Sequence, residues 1–238
     1  VRFKEDNSPL TEADIISHKV IINYLKSTDI PVLSEEGKTI DYDIRKQWKK
    51  LWVIDPIDGT KEFVKRNGEF TVNISLIENQ KPILGVIYAP VLKDLYYSFD
   101  NASYKCNLNY VAINDIFEDS LKLPVSRPDN DYIIVASKSH MNDETENFIK
   151  KMKIKHKNLK LVSKGSSLKL CLVAEGLADC YPRYAPTMEW DTAAGQAIVE
   201  GAGFELIDLV TKQPMKYNRR DLLNNYFLIK NQKHLTNA

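Results

Sequence analysis

Leu51-Trp52-Val53-Ile54-Asp55-Pro56-Ile57-Asp58-Gly59-Thr60 is the stretch on which the reading of this chain turns. Its first four residues form a short apolar run, the pattern of a buried strand. The run passes without a spacer into an acidic loop. Pro56 is expected to bend the chain, so that Asp58 returns three residues after Asp55 and both carboxylates face one point, with the Ile57 carbonyl between them. Hard cations such as Mg²⁺ take oxygen donors of this kind. Gly59 allows close backbone approach, and a helix starting at Thr60 has free amides suited to an anion. The same letters also describe an Asx-type turn with Asp58 as a helix cap. The loop alone does not choose between the two.

Working outward, Pro31–Leu33 reads as an extended piece ending at Ser34-Glu35-Glu36. Adjacent carboxylates repel unless they are solvated or bound to a cation. Near the other end, Glu189-Trp190 precedes Asp191-Thr192-Ala193-Ala194-Gly195, where Asp191 reads as a helix cap interacting with the dipole. Thr11 and Asp14 have the spacing of a capping box, followed by a helical apolar pattern to about Lys26.

The remaining elements follow from periodicity and turn residues. Phe70–Ile77 and Ile83–Ala89 read as strands joined by a turn at Glu78–Pro82, and Asp94–Phe99 as another. Consecutive strands predict an antiparallel sheet in the first half. Beyond Pro124 strands and helices alternate: strand Tyr132–Ala136, helix Glu144–Met152, strand Leu159–Val162 and helix Ser167–Glu175 closed by Gly176. Strand Asp179–Pro182, helix Thr192–Glu200 closed by Gly201, and strands Phe204–Leu206 and Tyr226–Ile229 complete the series. This predicts an α/β second half. The boundary is placed near Leu123–Asn130, giving domains 1–125 and 126–238.

Bulk properties narrow the class. The 238 residues are 43% hydrophobic, enough to bury a core in one or two domains. The net charge of +1 carries neither the basic footprint of nucleic-acid binding nor an acidic tail. No apolar run is long enough for stable membrane insertion. Three cysteines without CxxC spacing argue against a disulfide framework or a zinc site, and a reducing cytoplasm is the expected compartment. The chain starts at Val1 with polar residues, so a further N-terminal segment is expected.

Four segments occur in a telling order: Ser-Pro-Leu-Thr-Glu-Ala-Asp, Leu-Ser-Glu-Glu, Trp-Val-Ile-Asp-Pro-Ile-Asp-Gly-Thr-Lys-Glu-Phe and Glu-Trp-Asp-Thr-Ala-Ala-Gly. Together they resemble the inositol-monophosphatase superfamily of lithium-sensitive, Mg²⁺-dependent phosphatases, over nearly the whole chain from Asp6. Lys61-Glu62-Phe63, Gly85–Pro90, Ala136–His140, Ser166–Lys169 and Tyr181–Arg183 point within it to the 3'(2'),5'-bisphosphate nucleotidases. The resemblance implies a layered α-β-α-β-α sandwich and a small phosphorylated nucleotide as substrate. The reaction implied is hydrolysis of the 3'-phosphate of adenosine 3',5'-bisphosphate, with its sulfated analogue PAPS as a second substrate, in sulfur metabolism. An inositol or sugar monophosphatase on the same fold is the nearest alternative, and a non-catalytic, metal-dependent phosphate-binding protein is one of another class.

The roles it implies are as follows. Glu35, Asp55, the Ile57 carbonyl, Asp58 and Asp191 hold two or three Mg²⁺ ions. Asp14, Thr60 and Glu35 are catalytic, the first two orienting the attacking water. Ile57, Asp58, Gly59, Thr60 and Asp191 bind substrate, with the Gly59 and Thr60 amides on the phosphate, and Ser137, His140, Lys169 and Arg183 bind the nucleotide or its second phosphate. A monomer or homodimer is implied, cytoplasmic or peripheral at the inner membrane. The segment Phe99–Cys106 departs from the glycine-rich hairpin of many relatives.

Overall fold

The structure is a computed structural model describing residues 2–3, 9–127, 130–137 and 141–231. Strands β1 (Arg2–Phe3) and β2 (Pro9–Leu10) form a small antiparallel pair ahead of helix α1 (Glu12–Leu25). Thr11 caps α1, and the expected reciprocal capping box with Asp14 is present. Strand β3 (Val32–Ser34) and the short helix α2 (Tyr42–Arg45) then lead to β4 (Lys50–Asp58). Helix α3 (Thr60–Val64) follows directly, and the sheet continues with β5 (Thr71–Glu78), β6 (Lys81–Ala89), β7 (Asp94–Phe99) and β8 (Ala102–Asn107). Helix α4 (Ile116–Asp119) precedes the edge strand β9 (Leu121–Lys122).

These seven strands make one sheet in the order β3-β4-β5-β6-β7-β8-β9. It is not purely antiparallel: β3 and β4 run parallel, with Ser34 beside Ile54. The reason lies in the connection. The chain from Ser34 passes through α2 before returning to Lys50, a crossover that lets β4 repeat the direction of β3. Tight hairpins join β5 to β6 and β7 to β8 and enforce antiparallel pairing there. Asn79 and Gln80 both take positive φ, as do Asp100 and Asn101, the geometry whose twist matches flanking strands. The Phe99–Cys106 segment is thus a hairpin closed without glycine, and β8 is a strand that periodicity had not marked.

The second half contains β10 (Tyr132–Val135), α5 (Asp143–Lys155), β11 (Leu159–Val162), α6 (Leu168–Ala174), β12 (Cys180–Arg183), α7 (Glu189–Gly201), β13 (Phe204–Asp208) and β14 (Phe227–Asn231). Its sheet has the order β11-β10-β12-β14-β13, parallel at the β10 pairings and antiparallel around β14. Helix α1 packs on β4 and β3, α6 and α7 lie between the sheets, and α5 covers the far face through Ile149 against Ile134 and Cys180. The layers are therefore α-β-α-β-α, the sandwich of the resemblance.

The central layer joins the halves. One apolar cluster holds Val53, Ile77 and Ile87 of the first sheet together with Ile198 and Val199 of α7 and Leu206, Phe227 and Ile229 of the second. Each fully buried Ile or Val contributes about 1.5–3 kcal/mol. The approach of α7 to β6 is very close: a Cβ added at Gly85 would stand 2.2 Å from the Ala194 carbonyl oxygen. Gly85 is therefore a requirement of the α7–β6 contact.

Candidate active site

The acidic loop is a β-bulge. Asp55 pairs with Asn73 and Asp58 with Thr71, so the interval from 55 to 58 on β4 faces the shorter interval from 73 to 71 on β5. Side chains alternate along a strand, and residues three apart would ordinarily point to opposite faces. The extra residue at Pro56-Ile57 cancels that offset and turns both carboxylates the same way. The expected bend at Pro56 is thus a bulge inside a strand that continues to Asp58. Gly59 follows at φ 84°, a left-handed turn that favours glycine, and starts α3.

Helix α1 grips this loop with one face. Asp14, Ser17 and His18 are spaced i, i+3 and i+4 and so lie side by side. The Thr60 hydroxyl is 3.5 Å from Asp14 Oδ1 and 3.3 Å from the Ile57 carbonyl. Ser17 donates to the Pro56 carbonyl at 2.9 Å, and His18 Nδ1 lies 2.8 Å from Ser34 Oγ. Asp14 is buried at 1% exposure, and its Oδ2 accepts from the Thr11 amide and hydroxyl. It therefore caps its helix with one oxygen while the other faces Thr60.

The second half supplies the closing carboxylate. Asp191 does not open its helix: α7 begins at Glu189, and Asp191 is the third residue, reaching back to accept from the Met188 amide at 2.8 Å. That reach-back draws the helix start upstream of the expected Thr192. The far end also differs, since α7 includes Gly201 and the left-handed glycine is Gly203, at φ 85°. Ligand atoms of Asp55, Asp58 and Asp191 all lie within 4.8 Å of one another. Glu35 follows β3, its amide bonded to the Ile54 carbonyl and its carboxyl group hydrogen-bonded to that of Asp55.

Burial pushes the Asp55 carboxyl well above the usual carboxylate range, and the charges of Glu35, Asp58 and Asp191 push it further. Burial, then Asp58, raises Asp191 to about 8. Crowded, desolvated carboxylates of this kind call for a cation, which reverses the sign of the local field. The donor set is all oxygen and suits a hard divalent ion.

A cleft of about 520 Å³ opens beside the carboxylates. Asp58, Gly59, Thr60 and Asp191 line it, together with Ser137, Lys169, Arg183 and Tyr181. Lys61 and Glu62 line it as well. Arg183 donates to the Pro186 carbonyl at 3.0 Å. Lys169 is buried at 7% exposure and donates to the carbonyls of Ser166 and Lys164 at 2.7 and 3.2 Å; burial lowers it to about 8. His140 lies outside the described residues.

Sequence reasoning passed over a polar group around Asp58. Its Oδ2 accepts from Ser166 Oγ at 2.7 Å and Ser167 Oγ at 2.6 Å. Behind them stand Thr71 and Asn73 of β5, both buried. A signal existed: alternation places Thr71, Asn73 and Ser75 on the same inward face as Ile77. Three polar residues in a row on a core-facing side mark a site rather than a core.

A family model described as the inositol monophosphatase family matches residues 2–238. The chain belongs to the inositol monophosphatase family. It is 44% identical over 231 residues to the 3'(2'),5'-bisphosphate nucleotidase CysQ of Salmonella typhimurium, covering 95% of this chain and 87% of that one. Against the protein of the same description in Escherichia coli K12 it is 43% identical over 223 residues, 92% of this chain and 83% of the other. The crystal structure of CysQ from Bacteroides thetaiotaomicron superposes with a TM-score of 0.88 at 50% identity, covering 96% and 87% of the two chains. The inositol monophosphatase family is metal-dependent, and in this member Asp55, Asp58 and Asp191 form a cluster able to hold a metal ion. Among the described residues no helix is long and apolar enough to cross a membrane.

Proposed function

We propose that this chain is a Mg²⁺-dependent 3'(2'),5'-bisphosphate nucleotidase that hydrolyses the 3'-phosphate of adenosine 3',5'-bisphosphate to AMP and phosphate. The observation that carries this reading is the convergence of Asp55, Asp58 and Asp191, with Asp58 and Asp191 lining a cleft of about 520 Å³. Its occurrence in a chain 44% identical to a protein described as such a nucleotidase gives the substrate class.

Glu35, Asp55, the Ile57 carbonyl, Asp58 and Asp191 are the groups that would hold two or three Mg²⁺ ions. When bound, the metal supplies charge reversal at the phosphate and a more acidic water. The chain's own part is orientation and proton handling. Thr60 Oγ1 stands between the Ile57 carbonyl and Asp14 Oδ1, so a water held at Thr60 has an acceptor chain for its proton ending on Asp14. The amides of Gly59 and Thr60 would hold phosphate oxygens. Water oxygen attacks phosphorus, the bond from phosphorus to the ribose 3' oxygen breaks, and that oxygen leaves with a proton. No covalent enzyme intermediate is required. Ser137, Lys169 and Arg183 on the cleft wall, together with His140, are the groups assigned to the nucleotide or its second phosphate. PAPS is the expected second substrate, and the reading carries a cytoplasmic setting and a monomer or homodimer.

Phosphate release from a substrate panel with Mg²⁺ tests the reading. Release from adenosine 3',5'-bisphosphate is expected to be much faster than from inositol 1-phosphate; the reverse ranking overturns the nucleotidase assignment.

A further inference from the structure

Asp58 is held by groups from the other half of the molecule, and the direction of their protons can be worked out. A hydroxyl has one proton to donate. Ser166 Oγ lies 2.7 Å from Asp58 Oδ2 and also 2.7 Å from Thr71 Oγ1. Spending its proton on the carboxylate leaves its oxygen to accept from Thr71. Thr71 also reaches the Asn73 Oδ1 acceptor at 3.0 Å, and in either arrangement the Ser166 proton goes to Asp58, because a carboxylate oxygen accepts. Ser167 Oγ accepts from Asn73 Nδ2 at 2.8 Å and donates to the same Asp58 Oδ2 at 2.6 Å, in preference to the Asp191 carbonyl at 3.2 Å. Two donor chains, Thr71 to Ser166 and Asn73 to Ser167, thus converge on one carboxylate oxygen.

The loop that carries the serines is fixed on both sides. Lys169 pulls on the Ser166 and Lys164 carbonyls from within α6. Glu69 accepts from the Gly165 amide at 2.8 Å and pairs with Lys164 Nζ at 3.1 Å. Donors so placed restrict the rotation of the Asp58 carboxyl group.

We propose that Ser166 and Ser167 are positioning residues that occupy Asp58 Oδ2 with two hydrogen bonds and so dedicate the other oxygen of Asp58 to the metal, with Lys169 holding their loop in place. The inference rests on the phosphatase reading of the same site. It also gives Lys169 a part independent of substrate contact. A carboxylate held by one oxygen presents a single donor at a set angle; released, it can rotate and chelate, and the spacing to Asp55 and Asp191 is lost.

The test is a Mn²⁺ titration of the full chain without substrate, followed by electron paramagnetic resonance, paired with steady-state kinetics on adenosine 3',5'-bisphosphate. The variants are Asp55→Asn, Lys169→Met and the double Ser166→Ala/Ser167→Ala. The double serine variant is expected to bind Mn²⁺ about tenfold or more weakly, as outer-shell changes do. Raised Mg²⁺ should restore its turnover, with KM for the bisphosphate within about threefold of wild type. Adding Lys169→Met to the double variant should weaken Mn²⁺ binding little further, because residues acting through one loop are not additive. Unchanged Mn²⁺ affinity together with a raised KM in the double variant would place the hydroxyls on the substrate and overturn the proposal. If the double variant fails to fold, Ser166→Ala alone must still weaken Mn²⁺ binding, and an unaltered affinity refutes the idea. Failure of the underlying reading looks different: wild type and Asp55→Asn would then bind Mn²⁺ alike, whatever the serines do.

Discussion

The two halves of the site are built by opposite means. The β4 bulge places Asp55 and Asp58 together within four residues, and α1 braces the loop through Ser17 on Pro56 and Asp14 on Thr60. Asp191 and the two serines come from more than a hundred residues further on, delivered by α6 and α7 packing between the sheets. The first arrangement is local geometry, and a change within it acts on chemistry directly. The second is tertiary, and a change far from any carboxylate can disturb it. Perturbations at each place should therefore separate into losses of turnover with the fold intact and losses of fold that carry turnover with them.

The largest effect is expected at the bulge. Asp55→Asn should lower kcat at least about a thousandfold, the scale of losing a principal electrostatic group. Folding should survive, because Asn has the shape of the carboxyl group and stays uncharged where burial and the charges of Glu35, Asp58 and Asp191 disfavour an ionised group. A thermal scan beside the phosphate assay checks both halves of that statement. Retained activity would refute the metal assignment.

The next effect belongs to the packing side. Gly85→Ala forces a methyl against the Ala194 carbonyl, and backbone cannot swing aside as a flexible side chain would. About 3 kcal/mol of stability should be lost, the upper end for overpacking. At this chain length that is a fall in Tm of roughly 6–12 °C. Activity measured well below the new Tm should fall too, because α7 carries Asp191. A normal Tm would show that α7 and β6 stand further apart than described.

Acid-base linkage gives a smaller, graded effect. In the metal-free chain Asp191 holds its proton up to about pH 8, whereas an unfolded carboxyl releases it near 4. Between these values the folded state binds the extra proton, so stability of the metal-free chain falls as pH rises through the window. Metal needs the ionised form, so Mg²⁺ affinity should climb as pH rises towards about 8, by at most about tenfold per unit for each proton displaced. Calorimetric titrations in buffers of different ionisation enthalpy would register the released proton. A pH-independent affinity would contradict the raised Asp191.

The smallest change is Ser17→Ala, which removes the bond to the Pro56 carbonyl. A loss of about 1 kcal/mol is expected, with turnover reduced only a few-fold. Differential scanning calorimetry would resolve it, and a much greater loss of turnover would mean that the bulge depends on α1 for its shape.

The same contrast explains what could be read from residues alone. The acidic loop, the α1 capping box and the Glu189-Trp190-Asp191 segment are short and ordered, and they carried both the family and the layered fold. The parallel β3–β4 pair was not legible, because direction depends on the crossover through α2 rather than on strand composition. The bulge read as a bend, since the extra residue shows only when β4 is laid against β5. Ser166 and Ser167 were visible as residues, yet their contact with Asp58 spans more than a hundred positions and follows from packing. Lys169 was expected only at the substrate, and its two carbonyl partners emerge from the turn ahead of α6.

The central claim is that carboxylates from both halves form one metal-dependent phosphatase site. Its most direct test is the Mg²⁺ dependence of phosphate release from adenosine 3',5'-bisphosphate by wild type and by Asp191→Asn, whose altered residue lies far along the chain from the bulge. Wild type should be inactive after metal removal and recover with Mg²⁺, while the variant should stay folded and remain at least about a hundredfold slower at saturating Mg²⁺. Turnover without metal, or a variant with wild-type kcat and Mg²⁺ requirement, would contradict the account.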